Sequence, residues 1–118
     1  MMRSLLFIVL LILTTSCSNS KKNTVTDSQF HGEFLYLADA AVLNTGTEIY
    51  GVIIDEKMHE LHDLCVPLKR EEFDMIPVYI KGKVEKKDPN EEGWENRIRI
   101  TSIDSLVNPK DMTIIKPN

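Results

Sequence analysis

Apolar positions along this chain follow three rhythms. The first is a solid block: Leu5 to Leu13 (LLFIVLLIL) is nine apolar residues in a row. The second is alternation, the period-two signature of a half-buried strand. Phe34-Leu35-Tyr36-Leu37 is strand-like, and Ala40 to Leu43 continues it past a bend near Asp39. Asn44-Thr45-Gly46 signals a turn, and Glu48 to Ile54 (EIYGVII) is a β-branched run whose central Gly51 predicts a bulge or a tight bend. Ile76 to Glu85 alternates cleanly, with Val78, Ile80, Gly82 and Val84 facing one side. Trp94 to Ile103 alternates again, with Ile98 and Ile100 opposed to Arg97 and Arg99. These two runs flank the polar segment Lys86 to Gly93, which predicts an antiparallel hairpin. The third rhythm is helical. Met58, Leu61, Leu64 and Cys65 recur at spacings of three and four, Asp55 is placed to cap the helix, and Pro67 should end it.

The resulting order is three strands, a short helix, then two strands. Within about 80 residues, a mainly β fold closed into a small five-stranded barrel manages both sheet edges most economically. A helix between strands three and four is the placement of an OB-fold. The folded domain is expected over 30–109, with residues 17–29 as a flexible tether and 110–118 as a tail. Ile114 and Ile115 in that tail have no assigned place.

Composition narrows the function classes. The chain has 118 residues, 42% apolar and 27% charged, which suits one globular domain rather than a disordered chain. Its net charge is -4. That opposes a broadly nucleic-acid-binding surface, so no nucleic-acid partner is expected.

The apolar block now takes on meaning. As a helix it rises about 14 Å, too short for a hydrocarbon core of about 30 Å. Arg3 precedes it, and Thr14, Thr15, Ser16 and Cys17 follow. Charge, length and small residues together read as a signal peptide over 1–16. The stretch ending at Cys17 resembles the lipobox of bacterial lipoproteins, with Thr14 where Leu is usual. The alternative is an ordinary secretory signal beside an incidental Cys. The resemblance implies a lipidated Cys17 and a membrane partner through that anchor, since more than one acyl chain attaches stably. Ser18 in place of Asp implies the outer membrane of a Gram-negative envelope.

The segment Gly32 to Leu43 carries a second resemblance. Gly32, Phe34, Tyr36, Ala38, Asp39, Ala40 and Ala41 fit a pattern G-x-F/Y-x-Y-x-A-D-A-A. It is similar to the opening of the C-terminal OB domain of NlpE-type outer-membrane lipoproteins, and the likeness runs from about Phe30 to Val107. That family is associated with copper resistance and envelope stress signalling, so the resemblance implies a sensing or adaptor module with a protein partner in the envelope. The N-terminal barrel with its Cys-x-x-Cys is absent, and Cys65 has no partner for the disulfide common in that domain. On the residues alone, Asp39 at a bend is suited to hydrogen-bond nearby backbone N–H groups.

The remaining chemistry is sparse. His59 and His62 lie three apart on the helix, with Cys65 one turn beyond. Imidazole and thiolate suit copper or zinc, so these three form a candidate metal site, and a metal-binding protein is the alternative function. The competing readings are two solvated histidines and a small buried Cys65. Lys81, Lys83, Arg97 and Arg99 form a basic stripe near Tyr79, read as a solvated strand face. There is no phosphate loop and no nucleophile elbow, so no catalytic residues and no enzyme are expected, and no cofactor beyond the covalent lipid.

Overall fold

The computed structural model describes residues 27–117. The fold is mainly β, with six strands and one short helix. The strands are β1 (Ser28–Leu37), β2 (Ala40–Asn44), β3 (Ile49–Val52), β4 (Ile76–Lys86), β5 (Asn96–Val107) and β6 (Ile114–Ile115). The helix α1 (Glu56–Cys65) runs between β3 and β4 and ends in a 3-10 turn, Val66–Leu68. The expected signal peptide, Cys17 and nearly all of the expected tether lie outside the described residues. Among the described residues no helix is long and apolar enough to cross a membrane.

The sheet order is β3-β2-β1-β4-β5-β6, with antiparallel neighbours throughout. One further pairing is parallel: Gly51 and Val52 of β3 meet Arg97 and Ile98 of β5. The β1–β2 connection is a full reversal rather than a bend within a run. Leu37 pairs with Ala40, so the loop is only Ala38-Asp39, and Ala38 takes φ 56°. Two-residue hairpins need positive φ, and a non-glycine residue there carries local strain.

Three boundaries differ from the sequence expectation. β1 begins at Ser28, ahead of Phe30, and its pairing with β4 runs from Ser28 opposite Gly82 to Phe34 opposite Ile76. The tail supplies a sixth strand, in which Ile115 pairs with Leu106 and Ile114 with Val107. β5 also runs four residues past Ile103. The register shifts between Ile103 and Ser105 and between Ile100 and Ser102, leaving Asp104 and Thr101 as extra, bulged residues. Bulges re-aim side chains, and these two erase the alternation that marks the strand in sequence.

The core gathers the inward residues of every long strand and one face of α1. Phe34, Leu43, Ile76, Val78, Ile80, Ile98 and Leu106 are buried from the sheet, with Met58, Leu61 and Cys65 from the helix. Each fully buried large side chain contributes about 1.5–3 kcal/mol over its exposed state. The Asp55 carboxylate accepts the Met58 N–H at 3.0 Å, capping the helix start. Val84 is half-exposed rather than core, because it lies on β4 beyond Gly82, the partner of Ser28.

Candidate functional site

The β1–β2 turn, the end of β3 and the β4–β5 loop converge on a groove of about 340 Å³. Trp94, Ile54 and Val52 give it apolar walls, and Asp39 and Arg97 bring charge to it. Trp94 and Ile54 are both about half-exposed, at 47% and 44%. An indole left that open in a small domain offers a large apolar face with a single N–H donor.

Local chemistry holds this Trp in place. Gly51 has no side chain, and a Cβ there would lie 3.3 Å from Trp94 Cβ and 3.4 Å from its Cδ1. The missing side chain therefore lets the indole settle against β3. The loop carrying Trp94 is pinned at several points. Lys87 N–H donates to the Glu95 carbonyl at 2.9 Å, and Lys87 Nζ to the Glu91 carbonyl at 2.7 Å. Arg97 ion-pairs with Glu91 at 2.8 Å and donates to the Glu92 carbonyl at 3.3 Å. Gly93, at φ 110°, makes the backbone turn before Trp94 that L side chains rarely adopt. Asn96 donates to Glu48 at 3.0 Å, tying the loop's end to the start of β3. The same Glu48 carboxylate accepts from the Tyr50 hydroxyl and pushes its ionisation up.

The residues of the G-x-F/Y-x-Y-x-A-D-A-A pattern divide between the core and this groove. Phe34 and Ala41 are buried, and Tyr36 packs at the core's edge. Gly32 is buried where a Cβ would stand 2.5 Å from the Asn44 carbonyl oxygen, so the two backbones approach too closely for any side chain. Ala38 forms the strained turn; Asp39, Ala40 and Ala41 line the groove. Asp39 does not bond backbone N–H groups as expected: it is exposed, and among the described residues no hydrogen bond holds it.

No family model matches this chain, and no curated protein or solved structure matches it either.

The helix histidines are not joined to Cys65, and they differ from each other: His59 is exposed and His62 half-buried. Tyr36 lies edge-on to both, with ring centroids 5.4 Å from His59 and 5.0 Å from His62. His62 Nδ1 is buried without a hydrogen-bond partner. Cys65 is fully buried, and desolvation pushes its thiol up to about 12. A thiol held that firmly in its protonated form is a poor metal ligand. Among the described residues no three His, Cys, Asp or Glu side chains gather as a metal-binding group. The donor set as placed offers two imidazoles and no third ligand.

The basic stripe is largely neutralised. Lys83 and Arg99 face each other across the β4–β5 ladder, a like-charge pairing that destabilises a sheet. Acidic neighbours relieve it. Arg99 takes both oxygens of Glu85 at 2.9 and 3.2 Å and lies 3.6 Å from Asp55, while Lys83 lies 3.8 Å from Asp27. The Arg99 hydrogen bonds hold the Glu85 carboxyl below its usual range.

The sequence reading missed Trp94 as a site residue and placed it at the start of a strand. The available signal was the chain's single Trp set in a polar, Gly-containing loop.

Proposed function

We propose that this chain is a lipid-anchored, non-enzymatic binding module of the bacterial cell envelope, built on an OB-fold barrel, whose protein partner docks on the Trp94 groove. The barrel reading is supported by the pairings: β1, β2, β3, β5 and β4 follow one another around a ring, and α1 falls between β3 and β4. OB-folds use the face of strands two and three, bordered by the first and last loops, for recognition. The groove lies at that position.

The observation that carries the binding reading is the half-exposed Trp94, held against Gly51 by a hydrogen-bonded loop. Aromatic side chains presented rigidly lose little entropy on binding and serve as hot spots. The anchor reading rests on the apolar block, the small residues and Cys17. Together with the NlpE-like motif it supports a location at the outer membrane and a part in stress signalling or copper tolerance.

The test is photocrosslinking in intact cells, with a photoreactive residue in place of Trp94 and, as control, of Thr47 at the other end of β2. A discrete adduct from position 94 alone is the expected result. Equal labelling from both positions refutes the groove as the docking site. Cys17→Ala is expected to release the protein from membranes; unchanged attachment refutes the anchor.

A further inference from the structure

The outer face of β1 and β4 is unlike the rest of the molecule. His31 and Tyr79 stack face to face there, with centroids 4.1 Å apart and an interplanar angle of 8°. Beside them lies a cleft of about 440 Å³ bordered by Val107 and Met112. Met112 is 70% exposed and Ile114 64%. Neither is exposed through a loose chain. Met112 sits at φ 60° in a turn closed by Asn108 N–H to the Thr113 carbonyl and Met112 N–H to the Asn108 carbonyl, both at 2.8 Å. Asp111 accepts from the Thr113 N–H and hydroxyl, which fixes the turn again and holds the Asp111 carboxyl below its usual range. A strained, well-bonded turn that points Met112 into water, followed at once by an exposed Ile114 in β6, has given up stability to present apolar surface.

Charge on this face runs against the whole. The chain without its signal peptide is net acidic, yet here Lys81, Lys83, Arg99, Lys110 and Lys116 stand against Asp27, Glu33, Glu85 and Asp111. Arg99 is paired with Glu85 and Lys83 with Asp27, which leaves Lys81, Lys110 and Lys116. The described chain begins beside this face. Asp27 bonds Thr101 at 2.7 Å and lies 3.8 Å from Lys83. Nine residues separate it from Cys17, a reach of at most about 35 Å.

We propose that this face lies on the phospholipid bilayer that holds the anchor, with Met112 and Ile114 entering the headgroup–acyl boundary and Lys81, Lys110 and Lys116 meeting anionic headgroups. The proposal rests on the lipid-anchor reading. A tether of that length holds the domain near the membrane at high effective concentration, and a weak surface attraction then suffices to orient it. The Trp94 groove, at the other end of β2, is thereby turned away from the lipid and toward soluble partners.

The test uses the full lipidated protein reconstituted into phosphatidylethanolamine/phosphatidylglycerol vesicles. Ile114→Trp in a Trp94→Phe background places the only indole on the face, and brominated acyl chains report its depth. Side chains lodged about 5–10 Å into the interface should be quenched about twofold or more. Adding Met112→Asp, an exposed change that spares the core, should abolish that quenching, as should Lys110→Glu with Lys116→Glu. The wild-type indole at Trp94 should not be quenched. Protein that floats with the vesicles but shows no quenching at position 114 overturns the docking and leaves the anchor standing. Protein that does not float overturns the anchor reading, and the docking with it.

Discussion

Gly32→Ala tests the packing argument most directly. A Cβ at position 32 would stand 2.5 Å from the Asn44 carbonyl oxygen, 2.9 Å from its carbon and 3.1 Å from Thr45 Cα. Ordinary contact begins near 3.4 Å, so the backbones must part by about 0.9 Å. The atoms in the way are backbone, which no rotamer change can move. The end of the β1–β2 ladder, where Glu33 pairs with Asn44, must splay. Overpacking of this kind costs about 2 kcal/mol. A weakened ladder hydrogen bond adds about 1 kcal/mol. The stiffer unfolded chain returns about 0.7 kcal/mol. The net loss is about 2 kcal/mol, which in a domain of this size lowers the melting temperature by about 8–16 °C. The assay is thermal unfolding followed by far-ultraviolet circular dichroism. Gly46→Ala is the control: its φ is 90° but the space around it is open. It should cost only the conformational strain, about 1 kcal/mol. A Gly32→Ala protein melting within 3 °C of wild type, or above Gly46→Ala, would show that the close approach does not limit stability.

Cys65 should resist thiol reagents at pH 8 in the folded protein and react at once in denaturant. Its thiol is raised from 9.0 to about 12, so the associated stability is fully present below pH 9 and is lost as pH rises toward 12. That gap corresponds to about 4 kcal/mol; urea midpoints from pH 8 to 11 should fall more steeply in wild type than in Cys65→Ala, and parallel curves would contradict the burial argument. Ending the chain after Asn108 removes β6 and uncovers Leu106, and should lower the urea midpoint by about 1–2 kcal/mol equivalent; an unchanged midpoint would mean that β6 adds nothing. Arg99→Ala should matter little, under about 1 kcal/mol, because its pairs with Glu85 and Asp55 are solvent-exposed. Its effect should shrink further in 1 M salt, and a large salt-independent loss would contradict that.

The elements most legible in sequence were those with one buried face and a clean period. β4 alternates because Ile76, Val78 and Ile80 face the core while Tyr79 and Lys81 face water. The helix was legible because Met58, Leu61 and Cys65 mark one side and Asp55 caps it. Reading failed where the backbone leaves its period. The bulges at Thr101 and Asp104 shift the pattern twice, hiding the last four residues of β5. β6 is two residues long and has no period to read. The candidate site was obscured for another reason. Its residues come from the β1–β2 turn, β3 and the β4–β5 loop, and only the parallel β3–β5 contact brings them together. By contrast, His59, His62 and Cys65 are neighbours in sequence that the helix turns apart, two toward Tyr36 and one into the core.

The β3–β5 contact also has a dynamic meaning. It joins sequentially distant segments through two register pairs and the bond from Ile53 N–H to the Ile98 carbonyl at 2.9 Å. Such a seam forms only after both flanking hairpins are in place, and it is the natural point for sub-global opening. The Trp94 groove spans it. A partner bound across the groove would therefore act as a clasp, slowing hydrogen exchange at the Ile53 amide far more than at amides in the middle of β4, and recognition would be felt as closure of the fold.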